Sequence, residues 1–206
     1  AIGARLPVIE ASGNMVVDIG GGTTEIAVIS LGGVVVSRSL RIAGDEMNED
    51  IVRYARDAFN LLIGEKTAEE VKISIGSAYT LREPMTYPIR GRDLVSGLPK
   101  EIIATDEQIR EALSHSIRII VNNIKTIIEE TPPELLSDIF QRGIILAGGG
   151  SLIRGLDRLL ANQTGIPVRM MEDPLTAVVR GTGVVLEDME RLKEVLVEDH
   201  RGTPLR

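Results

Sequence analysis

Two glycine triplets, Gly20-Gly21-Gly22 and Gly148-Gly149-Gly150, each follow directly on a run of aliphatic residues. Those runs are Met15-Val16-Val17-Asp18 and Ile144-Ile145-Leu146-Ala147. Three residues without a Cβ add nothing to a core, but their main chain can turn tightly and approach another group closely. The chain must therefore place two bare-backbone turns at the ends of two buried strands. Few folds do this twice.

The pattern around the first triplet is repetitive. Glu25 to Ser30 is apolar again, and Leu31-Gly32-Gly33 turns into Val34-Val35-Val36 and on through Ser37 to Ile42. Three β-rich runs separated by glycine turns predict an antiparallel meander. From Asp45 the period changes: Ile51, Tyr54, Ala55, Ala58, Phe59 and Leu62 follow helical spacing, with Gly64 as the expected stop. A second, short helix is expected from Thr67 as N-cap, with Glu70 three residues on. Residues 84–103 hold four β-prone pieces broken by Pro84, Pro88, Gly91, Gly97 and Pro99, which reads as a small, loop-rich unit.

A long helix is expected from Asp106, where Ile109, Leu113, Ile117, Ile120, Val121, Ile124 and Ile128 form one apolar stripe ended by Pro132-Pro133. Beyond it the elements alternate. Gly143 to Ala147 reads as a strand, Ser151 to Ala161 as a helix, Val168 to Met171 as a strand, and Pro174 to Leu186 as a helix capped by Asp173. That order implies parallel strands beside the meander. Ala1 to Ala4 reads as the tail of a helix, and without an initiating Met the chain reads as a fragment or as trimmed at its front.

The first triplet sits in Asp18-Ile19-Gly20-Gly21-Gly22-Thr23-Thr24-Glu25. A strand–glycine–strand turn can curl its N–H groups into an anion-binding nest. Asp18 is placed to hold a hydrated Mg²⁺, which keeps most of its waters, and Thr23 and Thr24 offer hydroxyls to a terminal phosphate or an attacking water. A plain hairpin with a capping Asp fits the same residues. A Walker loop does not, since it needs Gly-Lys-Ser/Thr opening a helix.

Around the second triplet, Leu146 to Gly155, a strand is expected to run into glycines and then a helix, whose N-terminus favours anions. A dinucleotide loop also fits in part, with Gly148 and Gly150 as its first glycines and Glu172 as the ribose acid, although Ile153 stands at the third glycine position. Glu69 and Lys72 lie one helical turn apart, and spacing alone reads them as a solvated ion pair.

Composition removes several classes. The core has to come from Val, Ile, Leu and Ala, because 43% of the 206 residues are hydrophobic, only 2% are aromatic, and Trp is absent. That is the make-up of a sheet covered by helices. A net charge of −7 argues against nucleic acid as a partner. The chain has no Cys, no signal-peptide pattern and no apolar run of the ~18 residues that span a bilayer. It is expected in a reducing cytosol. Two His and no Cys argue against a Ser-His-Asp triad or zinc site, and His115 falls off its helix stripe as a surface residue. Glu187 to Val197 is amphipathic with an acidic polar face and is expected to pack on another part of the protein, ahead of a disordered tail after Asp199.

Asp-Ile-Gly-Gly-Gly-Thr-Thr-Glu followed over a hundred residues later by Leu-Ala-Gly-Gly-Gly-Ser closely resembles the second phosphate motif and the adenosine motif of the actin, Hsp70 and sugar-kinase superfamily. Ile42 to Met47, Ile63 to Glu70, and Glu172 to Gly183 resemble the rod-shape-determining bacterial actins, the MreB family, and the likeness runs over nearly the whole chain. The resemblance implies an α/β, actin-like (ribonuclease H-like) mixed sheet with flanking helices and a small α+β insertion. Residues 1–44 and 106–185 would form one subdomain, 45–105 the insertion, and 186–206 a helix returning toward an absent first half, followed by a tail.

It further implies the nucleotide-binding half of an ATPase that binds ATP or ADP with Mg²⁺ and polymerises into cytoskeletal filaments directing cell shape and wall synthesis. Its partners would be further copies of itself, cell-wall elongation proteins, and the inner-membrane surface through the absent half. Asp18, Gly20, Gly21, Gly22, Thr23 and Thr24 would surround the phosphates and metal. Glu69 and Lys72 would face the ribose and adenine, which reverses the reading from spacing, and Gly148, Gly149, Gly150 and Ser151 would pass beside the adenosine. The family's first phosphate hairpin and water-orienting glutamate have no counterpart in this chain, and Asn48 stands where the family more often has Asp. A dinucleotide-dependent enzyme and another superfamily ATPase, a sugar kinase or chaperone, stay open as alternatives.

Overall fold

The computed structural model describes residues 1–187. The amphipathic stretch beyond Glu187 and the tail after Asp199 lie outside the described residues.

The meander forms as expected. Strands β1 (Asn14–Ile19), β2 (Thr24–Ser30) and β3 (Gly33–Leu40) pair antiparallel, and β7 (Ile144–Ala147) joins β1 in parallel, followed by β8 (Val168–Met170). The sheet order is β3-β2-β1-β7-β8. Opposite faces of its strands have different surroundings. Met15, Val17, Ile19, Ile26 and Val28 are fully buried in the main core. Val16, Asp18, Glu25, Ala27 and Ile29 line a cavity of about 1010 Å³, together with Ala1–Ala4 and residues of the last helix.

Helix α3 (Asp106–Glu130) supplies the core with the expected stripe, except that Ile127 is fully buried and Ile128 only in part. Its start is set by a reciprocal pair: the Gln108 amide donates to the Thr105 hydroxyl at 3.3 Å, and the Thr105 amide donates to the Gln108 side chain at 2.9 Å. Helix α1 (Gly44–Phe59) crosses it, pinned by the Ser116 hydroxyl, which donates to Asp50 Oδ2 at 2.5 Å.

Several boundaries differ from the sequence reading. Helix α1 ends before Leu62, because Asn60 takes the left-handed conformation (φ 50°) and its N–H bonds to the Ala55 carbonyl. Leu61–Leu62 then forms strand β4. Helix α2 (Glu65–Ile75) starts from Gly64, so Thr67 lies inside the helix and caps nothing. The expected loop-rich unit is a regular hairpin, β5 (Thr86–Asp93) with β6 (Pro99–Thr105), in the order β4-β5-β6. Strand β4 reaches only to Arg92, so Pro88 sits where β5 has a partner on one side alone, and a missing N–H is tolerated there. Gly91 is required because a Cβ would stand 2.4 Å from the Leu62 carbonyl oxygen.

Pro132-Pro133 ends α3 and also opens α4 (Pro133–Arg142), a helix that the sequence reading passed over. Beyond β7 the chain makes one 3-10 turn, Gly149–Leu152, and helix α5 (Leu156–Thr164) begins only after Gly155 at φ +74°. The last helix is likewise delayed: Pro174–Thr176 is a 3-10 turn, and α6 runs from Ala177 to Glu187. Asp173 caps through the Thr176 hydroxyl, which donates to it at 2.6 Å, and not through a backbone N–H.

Candidate functional site: a cleft between two glycine turns

The two glycine turns meet. A Cβ on Gly150 would lie 2.3 Å from the Ile19 side chain, and one on Gly148 would lie 2.3 Å from the Ile19 carbonyl oxygen. The β1–β7 pairing brings the two strand ends side by side, and only glycine lets the turns stack this closely. They open onto a cavity of about 830 Å³, lined by Gly20, Gly21, Gly149 and Gly150 and also by Glu69 and Lys72. That volume suits a ligand of several hundred daltons.

The first turn is held by α1. Gly20 N–H donates to the Thr23 carbonyl at 2.9 Å, closing the hairpin. Its outward carbonyls accept from the start of the helix, Gly44 N–H to Gly20 O at 3.0 Å and Asp45 N–H to Gly21 O at 2.9 Å. The N-cap, Ala43, has no side-chain acceptor to offer, so the glycine loop satisfies the helix's orphan donors in its place. Gly44, Asp45 and Asn48 thereby join the cleft lining. Sequence reading missed them as site residues, and the one available signal was a helix beginning at Ala-Gly without a Ser, Thr, Asp or Asn cap.

Glu69 and Lys72 are solvated on one side only: the Glu69 side chain is 44% exposed, but Lys72 is buried. The Lys72 side chain is 8% exposed, and its Nζ donates to Glu69 Oε2 at 2.6 Å and to the Gly44 carbonyl at 2.8 Å. Burial pushes the Glu69 carboxyl up, but hydrogen bonds from Lys72 and Asn48 and the Lys72 charge outweigh that and leave it below the ordinary glutamate value. Lys72 thus ties α2 to the start of α1. Ile73, Leu152 and Leu175 give this part of the cleft an apolar rim, and all three are exposed.

The remaining singled-out residues lie around the cleft in different ways. Gly22 sits at the exposed turn tip, where a Cβ would come 3.8 Å from Asp45 Oδ2. Thr23 is exposed beside it. Thr24 is fully buried, and its hydroxyl donates to the Ile42 carbonyl at 2.7 Å. Ser151 is buried and donates to the Gly148 carbonyl at 2.6 Å, which shapes the turn from behind. Asp18 faces the neighbouring sheet cavity at the edge where Gly148 packs against it. Burial holds its carboxyl above the ordinary aspartate range, opposed by the Ala1 amine and reinforced by Glu25. Among the described residues no group of three or more His, Cys, Asp or Glu is arranged to hold a metal, and no helix is long and apolar enough to cross a membrane.

The expected α-helix N-terminus behind the second triplet is replaced by the single 3-10 turn. A dinucleotide loop leads straight from a strand into an α-helix, whereas here β7, though parallel to both neighbours, runs into the 3-10 turn and the helix begins only after Gly155. That alternative is set aside by geometry, and relatives point the same way.

Residues 1–194 match the family model of the MreB/Mbl protein. The chain is 54% identical over 187 residues to the cell shape-determining protein MreB of Escherichia coli K12, covering 91% of this chain and 54% of that protein. It is 48% identical over 192 residues to the cell shape-determining protein Mbl of Bacillus subtilis, covering 93% and 58%. It thus spans a little over half the length of these relatives. The structure of MreB5 of Spiroplasma citri bound to ADP superposes with a TM-score of 0.90 at 40% identity, covering 94% of this chain and 59% of that one. The MamK double helical filament is similar at a TM-score of 0.74 and 26% identity, with 90% and 57% covered. A sheet of this order, two glycine turns stacked at one cleft, and relatives matched over nearly every residue lead to one conclusion: the chain belongs to the MreB/Mbl family and has the actin-like fold.

Proposed function

We propose that this chain is the nucleotide-binding half of an actin-like ATPase that assembles into cytoskeletal filaments. The observation that carries it is that Gly20–Gly21 and Gly149–Gly150 line one cleft together with the Lys72–Glu69 pair, with Gly148 and Gly150 packed on Ile19. One turn offers bare main chain to phosphates, and the other passes beside a nucleoside. Glu69 is available to ribose hydroxyls, and the rim of Ile73, Leu152 and Leu175 suits a flat base. Relatives support the ligand class, since MreB5 of Spiroplasma citri has been solved with ADP and with AMPPNP.

Mg²⁺ fits this residue set. A single carboxylate, Asp18, lies against the Gly148 turn, and Mg²⁺ bound through waters and phosphate oxygens needs no cage of protein ligands. Bound there, the ion would neutralise phosphate charge. Thr23, exposed beside the first glycine turn, is the hydroxyl available to a terminal phosphate, while Thr24 holds that turn from within through its bond to the Ile42 carbonyl. Residues 1–44 and 106–185 work as the subdomain carrying both turns, and 45–105 as the insertion carrying Lys72 and Glu69. Self-association follows from likeness to the MamK filament. Cell-wall elongation proteins and the inner-membrane surface are the further partners, the latter reached through the half this chain does not contain.

Titration calorimetry with ADP and AMPPNP, with and without Mg²⁺, tests the reading. Measurable Mg²⁺-dependent binding without turnover is expected, weak because the chain covers only 54–58% of the relatives it matches. Failure to bind either nucleotide at millimolar concentration, or protection by NAD and not ATP in a melting assay, would overturn it.

A further inference from the structure

Behind the cleft, Arg154 joins two segments that approach the ligand from different sides. Its guanidinium Nη1 donates to the Ile73 carbonyl at 2.9 Å and reaches the Gly76 carbonyl at 3.5 Å, both at the C-terminal end of α2. Its main chain grips the same place: the Ala78 N–H donates to the Arg154 carbonyl at 2.8 Å, and Ser77 pairs with Arg154 as an isolated parallel bridge. The seam is tight. A Cβ on Gly76 would stand 3.3 Å from Ile153 Cδ1, and one on Gly155 would stand 2.7 Å from the Tyr79 Cβ.

These contacts complete a ring. Gly148 and Gly150 pack on Ile19, Gly20 and Gly21 accept from the start of α1, Gly44 accepts from Lys72, and α2 carries Lys72 on to Ile73 and Gly76. Arg154 closes the circuit back to the second glycine turn, four residues after Gly150. The last carbonyls of a helix have no partner within it, and a cation at that end satisfies them and complements the dipole. The same donation fixes how far α2 stands from the second turn.

We propose that Arg154 is a positioning residue of the nucleotide site: by tying α2 to the second glycine turn it sets the placement of Lys72, Glu69 and Ile73 against the nucleoside, without touching ligand itself. The inference rests on the nucleotide-binding reading and adds a residue to it. Arg154 lies outside the cleft lining, on the other side of Ile153.

The test compares two probes on this chain with Mg²⁺, ADP and inorganic tripolyphosphate. ADP uses both glycine turns and α2, while tripolyphosphate uses the first glycine turn alone. Arg154→Ala is expected to weaken ADP about tenfold while leaving tripolyphosphate unchanged, the scale of one lost positioning interaction. Arg154→Lys, which keeps a donor for the Ile73 carbonyl, is expected to fall between. Equal losses for both probes would show general loosening and overturn the role, as would an Arg154→Ala variant that binds ADP like the parent. If Arg154→Ala does not fold, Arg154→Lys and Arg154→Gln carry the same comparison, and an ADP affinity equal to the parent's in both overturns the proposal. A parent chain that binds neither probe sinks the nucleotide reading itself, an outcome distinct from a failure of Arg154 alone.

Discussion

Gly148 lies so close to Asp18 that a Cβ at that position would stand 2.4 Å from the aspartate's Oδ1, and the Gly148 backbone has φ +80°. Two independent constraints therefore fall on one residue, a left-handed conformation and a close approach. Gly148→Ala is expected to cost about 3 kcal/mol or more, lowering the melting midpoint by about 6–12 °C at this chain length. Gly165 separates the two causes. It has φ +72° but nothing within 4 Å of its Cβ direction, so Gly165→Ala should cost only the conformational strain, about 1 kcal/mol. Equal melting shifts for the two variants would refute the close-approach argument.

Asp18 carries a charge that the fold would do better without. Burial raises its carboxyl above the ordinary range, so between the ordinary value and the raised one the folded chain binds more protons than the unfolded chain. Its contribution to stability therefore falls as pH rises through that window. Asp18→Asn should melt higher than the parent at neutral pH, converge with it in acid, and lose the Mg²⁺-dependent part of nucleotide binding. Melting curves at several pH values and calorimetry with and without Mg²⁺ check both halves. A variant that is less stable at neutral pH would contradict the assignment.

The Lys72 amine stands between Glu69 and the Gly44 carbonyl. Lys72→Met leaves that buried carbonyl without a partner and should cost about 1–3 kcal/mol. Glu69 has the opposite sign to Asp18: its folded-state value is depressed, so its contribution is present above the ordinary glutamate value and lost as pH falls through the folded one. The acid side of the stability profile should accordingly be shallower in Lys72→Met than in the parent, as read from denaturant midpoints between pH 7 and acid. An unchanged acid limb would mean that Lys72 does not hold Glu69 in its charged form.

Asp50 and Ser116 join α1 to α3 in the core, where Ser116 is fully buried. Asp50→Ala leaves the buried Ser116 hydroxyl unmatched, and Ser116→Ala leaves Asp50 Oδ2 without its donor while Oδ1 still accepts from Arg53 at 2.8 Å, so each should cost about 1–3 kcal/mol. The double variant Asp50→Ala/Ser116→Ala should cost less than the sum, since no buried orphan remains and the Arg53 released is half exposed to water. Denaturant unfolding of all four proteins measures the coupling, and strict additivity would show that the pair does not interact.

What could be read from residues alone was what each segment decides by itself. The three β-rich runs of the meander, the stripe of α3 and the two glycine triplets are local statements about residue type, period and the absence of a Cβ, and the structure forms the meander and the helix from them. Element ends were less legible. Asn60 stops α1 through a left-handed conformation that Asn adopts no more obviously than the glycine four residues on, and β5 and β6 become one hairpin because each completes the other's hydrogen bonds across Pro88.

The site divides along the same line. That glycines at 20–22 and 148–150 must expose bare main chain follows from residue type, wherever they lie. Which groups share the cleft with them was decided by pairing β1 with β7 and by carrying α2 across to face them. Hence Lys72, written as half of a surface ion pair, is buried against a carbonyl 28 residues away. Ala43 needs no capping side chain, since the glycine loop's carbonyls serve α1 in its stead. Local chemistry declares what a residue can offer; only the folded chain brings the acceptor within reach.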